Sequence, residues 1–388
     1  MKKKRKLNST HIVDLPNDVI KLIVSYSPRE CLQVSKFFCR IVRSLRTQIK
    51  VADCKKYNIS SKSILNAIFS SHNIITLNVN GWTKWNDSSL QYFSRMIKSG
   101  YFKNLRELHM RNCNNVSNKS LHIFLPNIGK NLRVLDLFNC KNITHKAFGM
   151  SNENLQSLYL GYSKTTHVPS ENSQVLEFFF NTVLSKKPII LFPKLERLQL
   201  FNYSGIKSLS PLVNISKTLK FLDIRGCTSI DPSEFKHLSR LTKLEELHIG
   251  RHVENDILLE IINSCNNISV LDISESQVSF EVVEAMCSKL TKLSRLKMTK
   301  CSTITNEFFS MILTTLSHLS LIDVSHCWRL TNSMFDSVRK IAAGDKLSKI
   351  GIYMCCIDSV KLVYKFNCAG ARDVITVVHA ELQIDNKP

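Results

Sequence analysis

The 388-residue sequence has no run of about 18 uninterrupted apolar residues, so a transmembrane helix is not expected. Its basic start, Met1 to Lys6, passes into Asn8-Ser9-Thr10-His11 without the apolar stretch of a secretory signal. Thirteen cysteines are present, an odd number, and none falls in a C-x-x-C pair or a zinc-finger spacing. They are therefore expected to be free thiols in a reducing compartment, cytoplasm or nucleus, rather than a disulfide framework. A nucleophile elbow, a phosphate loop, paired carboxylates and a zinc signature are also missing. No catalytic, cofactor or metal residues are expected, which argues against an enzyme. Acidic residues are few: 31 Asp and Glu face 53 Lys and Arg, a net charge of +22. Residues 1–56 hold 14 cations and four acids, so +10 of the excess sits there. The Lys2–Lys6 run reads as a nuclear import signal, as a tether to an acidic surface, or as a solvated tail.

What is present is a recurring phrase: an apolar residue, two variable ones, an apolar residue, one variable, a third apolar residue. It runs Leu105/Leu108/Met110, Leu132/Leu135/Leu137, Leu155/Leu158/Leu160, Leu195/Leu198/Leu200, Leu219/Leu222/Ile224 and Leu244/Leu247/Ile249. It continues through Ile268/Leu271/Ile273, Leu293/Leu296/Met298, Leu319/Ile322/Val324 and Leu347/Ile350/Ile352, with a weaker opener at Ile74/Leu77/Val79. One unit per ~20–29 residues is the mark of a leucine-rich-repeat solenoid, an α/β fold with a parallel concave sheet and outer helices. A 40-residue interval between Leu155 and Leu195 breaks the period. It reads either as a rim insertion near 161–194, with a helix over 174–185, or as an eroded extra repeat.

Residues at the fourth and sixth places of each phrase point inward, because side chains alternate along a strand. Eight residues after a phrase start fall Cys113, Cys140, Cys227, Cys301, Cys327 and Cys355. A small buried thiol suits the point where chain turns from strand to helix, so these cysteines are read as structural. Ser117, Thr144, Asp231, Thr305 and Thr331 stand where helix caps belong. Asp231-Pro232-Ser233-Glu234 has the pattern of a capping box with proline in the first turn. Beyond the last unit, residues 373–379 read as a closing strand in a C-terminal cap and tail, 373–388.

Ahead of the repeats, Asp14-Leu15-Pro16-Asn17-Asp18 opens a helix whose stripe is Val19, Ile20, Ile23 and Val24. Pro28-Arg29-Glu30 starts a second helix, and Phe37, Phe38, Ile41, Val42 and Leu45 line a third. Helices totalling about 35 residues hold too little core to stand alone, so they lean on the solenoid or on another protein. Leu15 to Tyr26, Pro28 to Leu32 and Val34 to Cys39 resemble an F-box, although Ile41 stands where that family usually has tryptophan. The cysteine-bearing repeats resemble those of F-box/leucine-rich-repeat proteins.

That resemblance implies the substrate receptor of an SCF (Skp–cullin–F-box) ubiquitin ligase. Leu15, Pro16, Ile20, Ile23, Leu32, Val34 and Phe37 would dock a Skp adaptor on its cullin scaffold, and the solenoid would hold a target protein. The chain then divides into a basic tail (1–11), an F-box (12–50), a helical linker and N-terminal cap (51–73), about eleven repeats (74–372) and the C-terminal cap. The same leucines would instead cap the open end of the sheet in a stand-alone scaffold or inhibitor.

The third, fifth and seventh places of each phrase face the concave side. Their charges are Arg111, Arg197, Arg225, Arg295, Lys297 and Lys349 against Glu107, Asp136, Asp223, Glu246, Asp272 and Asp323. This balance argues against nucleic acid in the groove. Aromatic residues and arginine are the usual interface anchors. The expected target patch is therefore Phe138, Tyr159, Phe201 and Phe221, with Arg111, Arg225 and Tyr353.

Overall fold

A computed structural model describes residues 48–51, 61–69, 73–128, 130–148, 152–162, 182–184, 187–189, 191–203, 205–339, 347, 349–352, 355, 363–367 and 374–378. The basic tail and the F-box-like residues Leu15, Pro16, Ile20, Ile23, Leu32, Val34 and Phe37 lie outside these, as does Tyr353.

Each phrase makes one three- to five-residue strand. In chain order the strands are β1 (Gln48–Lys50), β2 (Thr76–Asn78), β3 (Glu107–His109), β4 (Val134–Asp136) and β5 (Ser157–Gly161). After β6 (Thr182–Leu184) and β7 (Lys187–Ile189) come β8 (Arg197–Phe201), β9 (Phe221–Asp223), β10 (Glu246–His248) and β11 (Val270–Asp272). The series ends with β12 (Arg295–Lys297), β13 (Leu321–Asp323), β14 (Lys349–Gly351), β15 (Val363–Asn367) and β16 (Val374–Val378). Among the described residues 14 of them form one sheet, ordered β1-β2-β3-β4-β5-β8-β9-β10-β11-β12-β13-β14-β16-β15. Pairing is parallel throughout except that β15 runs antiparallel to β16. This is a leucine-rich-repeat solenoid.

Register follows the phrase. The fourth-place residues Leu77, Leu108, Leu135, Leu158, Leu198, Leu222, Leu247, Leu271, Leu296, Ile322 and Ile350 sit opposite one another from strand to strand. All are buried, and so are the first- and sixth-place residues. Three apolar side chains per unit thus feed one continuous core, which no single unit closes alone. β1 adds a unit that the phrase did not reveal: Ile49 pairs with Leu77, and Ile49 and Val51 are buried. Its first place is Arg46, which hid it.

The strand ends in a tight turn whose eighth place takes a left-handed conformation: Gly81, Asn112, Asn139, Asn202, Gly226, Glu275, Lys300 and His326 all have positive φ. There the amide reaches the next unit, as in Asn112 N–H to Phe138 O (2.9 Å) and Lys300 N–H to Ser325 O (2.9 Å). Helices then return the chain. They are α1 (Ser61–Phe69), α2 (Asp87–Lys98), α3 (Asn118–Ile128), α4 (Asn255–Ser264), α5 (Phe280–Lys289), α6 (Asn306–Thr315) and α7 (Met334–Arg339). Among the described residues three connections are 3-10 helices instead, at His145–Ala147, Ser210–Ile215 and Pro232–Arg240. Thr305 caps α6 through the Phe308 amide (3.4 Å), and Asp231 caps its 3-10 helix through the Ser233 amide (2.9 Å). Glu234 does not fold back to complete the capping box. It accepts from Ser208 Oγ (2.5 Å) and the Leu209 amide (2.9 Å), tying its unit to the preceding one.

Of the helix expected over 174–185, residues 182–184 instead form β6, paired antiparallel with β7, and the rest lie outside the described residues. β5 and β8 nonetheless pair directly across the insertion, from Ser157↔Arg197 to Gly161↔Phe201. The closing strand read at 373–379 is β16, parallel to β14; β15 outside it was not foreseen.

Candidate functional site

The sheet face away from the helices carries the third-, fifth- and seventh-place residues. Its centre is a row at the seventh place: Arg111, Phe138, Gly161, Phe201, Arg225 and Gly250 on successive units. Phe138 and Phe201 are half-buried, and their ring centroids lie 6.1 Å apart across Gly161. A Cβ at Gly161 would stand 2.4 Å from the Phe201 carbonyl oxygen, so only glycine lets β8 approach there. The Arg111 guanidinium lies over the Phe138 ring (5.7 Å), and that of Arg225 over Phe201 (5.3 Å). Arg225 also lays its stem over Gly250, where a Cβ would meet its Cγ at 2.7 Å. The row is thus two aromatic rings between two stacked cations.

Acids beneath the row neutralise both arginines. Arg111 Nε donates to Asp136 Oδ2. Arg225 donates from Nε to Asp223 Oδ1 (3.0 Å) and from Nη2 to Asp223 Oδ2 (2.7 Å), with Asp272 Oδ2 at 3.8 Å from its Nη1. Gln199 Nε2 donates to the same Asp223 Oδ2 (3.0 Å). Burial pushes the Asp223 carboxyl up, but the Arg225 bonds and charge, His248 and the Gln199 amide outweigh it and hold it below the usual carboxylate range. Arg197 stacks on Phe221 (4.2 Å) and pairs with Glu246 (3.3 Å).

The aspartates of the fifth place lie on the concave side of the phrase, where they either face a ligand or only hydrogen-bond within the sheet. Asp136, Asp223, Asp272 and Asp323 are buried and satisfied from within. Each accepts the amide two residues on, at Phe138 (3.2 Å), Arg225 (3.1 Å), Ser274 (3.1 Å) and Ser325 (3.0 Å). The signal was available as Asp-x-Ser at 272–274 and 323–325, the pattern of a side chain that closes a local turn. His248, also at the fifth place, is buried with Nδ1 lacking a hydrogen-bond partner. Burial first, and the Arg225 charge, lower its pKa against the pull of Asp223, Asp272 and Glu246.

Of the sequence-predicted patch, the structure brings together Arg111, Phe138, Phe201 and Arg225. Tyr159 and Phe221 share the face but are 8% and 7% exposed, so they form its floor rather than its surface. The Arg–aromatic stacking was not foreseen, although each stacked pair lies one unit apart.

The repeat cysteines form a row in the core. Cys140 Sγ donates to Met110 O (3.0 Å), Cys227 to Leu200 O (2.9 Å), Cys301 to Ile273 O (3.5 Å) and Cys327 to Met298 O (3.1 Å). Each thiol satisfies the sixth-place carbonyl of the unit before it. Burial pushes Cys227 and Cys301 up to about 12. Among the described residues no cluster of His, Cys, Asp or Glu suits a metal ion, and no helix is long and apolar enough to cross a membrane.

Neither a protein-family model nor a curated protein matches this chain. Solved structures do. A chain in the crystal structure of the Rad7 and Elc1 complex from yeast aligns with a TM-score of 0.52 and 16% sequence identity. The alignment covers 82% of this chain and 71% of that one. At such identity the likeness is one of fold.

Proposed function

We propose that this chain is the substrate-recognition subunit of an SCF-type ubiquitin ligase. Its N-terminal segment docks a Skp adaptor joined to a cullin, and the open sheet face holds a target protein. The observation that carries the binding role is the Arg111–Phe138–Phe201–Arg225 row. Rigid aromatic rings with stacked arginines, charge-balanced from below, have the composition of an interface core. The F-box resemblance of Leu15, Pro16, Ile20, Ile23, Leu32, Val34 and Phe37 supports the adaptor role. The Rad7–Elc1 complex supports it further, since a chain of this fold is found there together with a second protein. The chain itself performs no bond chemistry in this reading. It raises the effective concentration of a target lysine beside a thioester carried by another subunit.

Co-purification with Skp and cullin tests the reading, repeated with Leu15→Asp and Pro16→Ala. Association lost in the variants supports the receptor; no association with either chain leaves a scaffold or inhibitor without a ligase role. In proteomic capture, Phe138→Ala/Phe201→Ala should lose the target while keeping the adaptor. Unchanged capture would refute the assignment of the face.

A further inference from the structure

Part of the basic excess that the sheet face lacks lies on the rim where the strands begin. The tetrad Lys103-Asn104-Leu105-Arg106 recurs as Lys130-Asn131-Leu132-Arg133, then changes to Glu153-Asn154-Leu155-Gln156 and Pro193-Lys194-Leu195-Glu196. In both basic tetrads the leucine is buried and the lysine and arginine are exposed. Lys103, Arg106, Lys130 and Arg133 have no side-chain hydrogen bond or ion pair among the described residues. Farther along the same rim several cations are engaged: Lys194 Nζ meets Asn154 (2.9 Å), Lys220 Nζ meets Glu196 (2.9 Å) and Lys292 Nζ meets Asn267 (2.8 Å).

The asparagines hold this arrangement in place. Asn131 Nδ2 donates to Lys103 O (3.0 Å) and Asn154 Nδ2 to Lys130 O (2.9 Å). The Arg133 amide donates to Arg106 O (2.7 Å) and the Arg106 amide to Ile75 O (2.9 Å). Ile75, Arg106 and Arg133 therefore occupy the same place on three adjacent strands, about 4.7–4.9 Å apart. Ile75 is 37% exposed, one of five large apolar residues at the surface among the described residues.

We propose that this rim, Ile75 with Lys103, Arg106, Lys130 and Arg133, docks an acidic peptide segment of a protein partner, one aliphatic side chain of which rests on Ile75. The proposal rests on the reading of the solenoid as a protein receptor and supplies the chemistry of a second contact. Two cations per unit at strand spacing match carboxylates at i and i+4 of a helix, whose Cβ atoms are about 5–6 Å apart. A phosphate backbone fits less well. It has no use for an exposed isoleucine, and Glu153 closes the patch after two units, short of the six to ten phosphate contacts typical of a duplex site.

Fluorescence anisotropy on the full chain at low salt tests this, with a labelled (Glu-Glu-Leu-Glu)3 peptide, its Gln-for-Glu analogue and a duplex DNA of arbitrary sequence as probes. The acidic peptide should bind and be released by salt, and the Gln analogue should not bind. Arg106→Glu/Arg133→Glu should weaken binding about tenfold or more, since each exposed pair is worth up to about fivefold and the reversal adds repulsion. Lys243→Glu/Lys292→Glu, farther along the rim, should change it less than twofold. Equal affinity for the Arg106/Arg133 variant, equal binding of the Gln analogue, or tighter binding of DNA lost with the same substitutions would each overturn the proposal. Skp co-purification reads independently. A chain that binds the peptide but no Skp keeps the rim and sinks the ligase reading; the reverse sinks the rim alone.

Discussion

Leu222→Ala tests the solenoid's core directly. Leu222 is fully buried in β9, in register with Leu198 on one side and Leu247 on the other. Truncating a buried leucine costs about 2–5 kcal/mol, more where the void cannot collapse. Here both lateral neighbours are leucines pinned by the sheet ladder, which places the expected loss at about 3–5 kcal/mol. That is a large share of the ~5–15 kcal/mol a folded domain commands. Leu321 is the matched control: it lies in β13 one place before an inward Ile322, half-exposed on the open face. Leu321→Ala should cost under about 1 kcal/mol. Urea unfolding followed by far-UV circular dichroism measures both midpoints. Because each unit touches only its neighbours, hydrogen exchange in Leu222→Ala should quicken first across β8 to β10. Equal losses for the two leucines, or the larger loss at Leu321, would refute the assignment of inner and outer faces.

Two further outcomes follow from the buried polar groups. With thiols pushed up to about 12, Cys227 and Cys301 should resist iodoacetamide in the folded chain at pH 8. At that pH about one thiol in ten thousand is ionised. Peptide mass spectrometry should find them alkylated only after denaturant, and labelling of either in the native protein would contradict their placement. Asp223 is held below the usual carboxylate range, so its contribution is complete above an unfolded-state value of about 3.9 and is lost as pH falls through the lower folded value. The stability advantage of the wild type over Asp223→Asn should therefore be constant from pH 7 to about 5 and shrink below about 4. A gap of the same size at pH 3 would count against the Arg225 pairing.

The repeat was legible because the core imposes one spacing: first, fourth and sixth places are buried in every unit from Ile74 to Ile352. Where another residue stands at a core place the unit vanished from view, as Arg46 did for β1. The choice between α-helix and 3-10 helix on the outer side was hidden, since it depends on how each connection packs against the one before. Glu234 shows this: its local pattern favours a capping box, yet the Ser208 hydroxyl and Leu209 amide of the neighbouring unit take the carboxylate. On the open face, aromatic and arginine residues were found by type, but their stacking needed the register across the 40-residue interval. Only direct β5–β8 pairing brings Phe138 and Phe201 together over Gly161.

The reversed direction of β15 has a bearing on growth. Every earlier strand offers its successor the same parallel template, so a sheet of this kind has no intrinsic stopping point and invites end-to-end polymerisation. β15 runs antiparallel to β16, so its free edge offers a further unit an antiparallel template in place of the parallel one that the repeats use. A further parallel unit would meet at β15 a hydrogen-bond spacing different from the one every repeat uses.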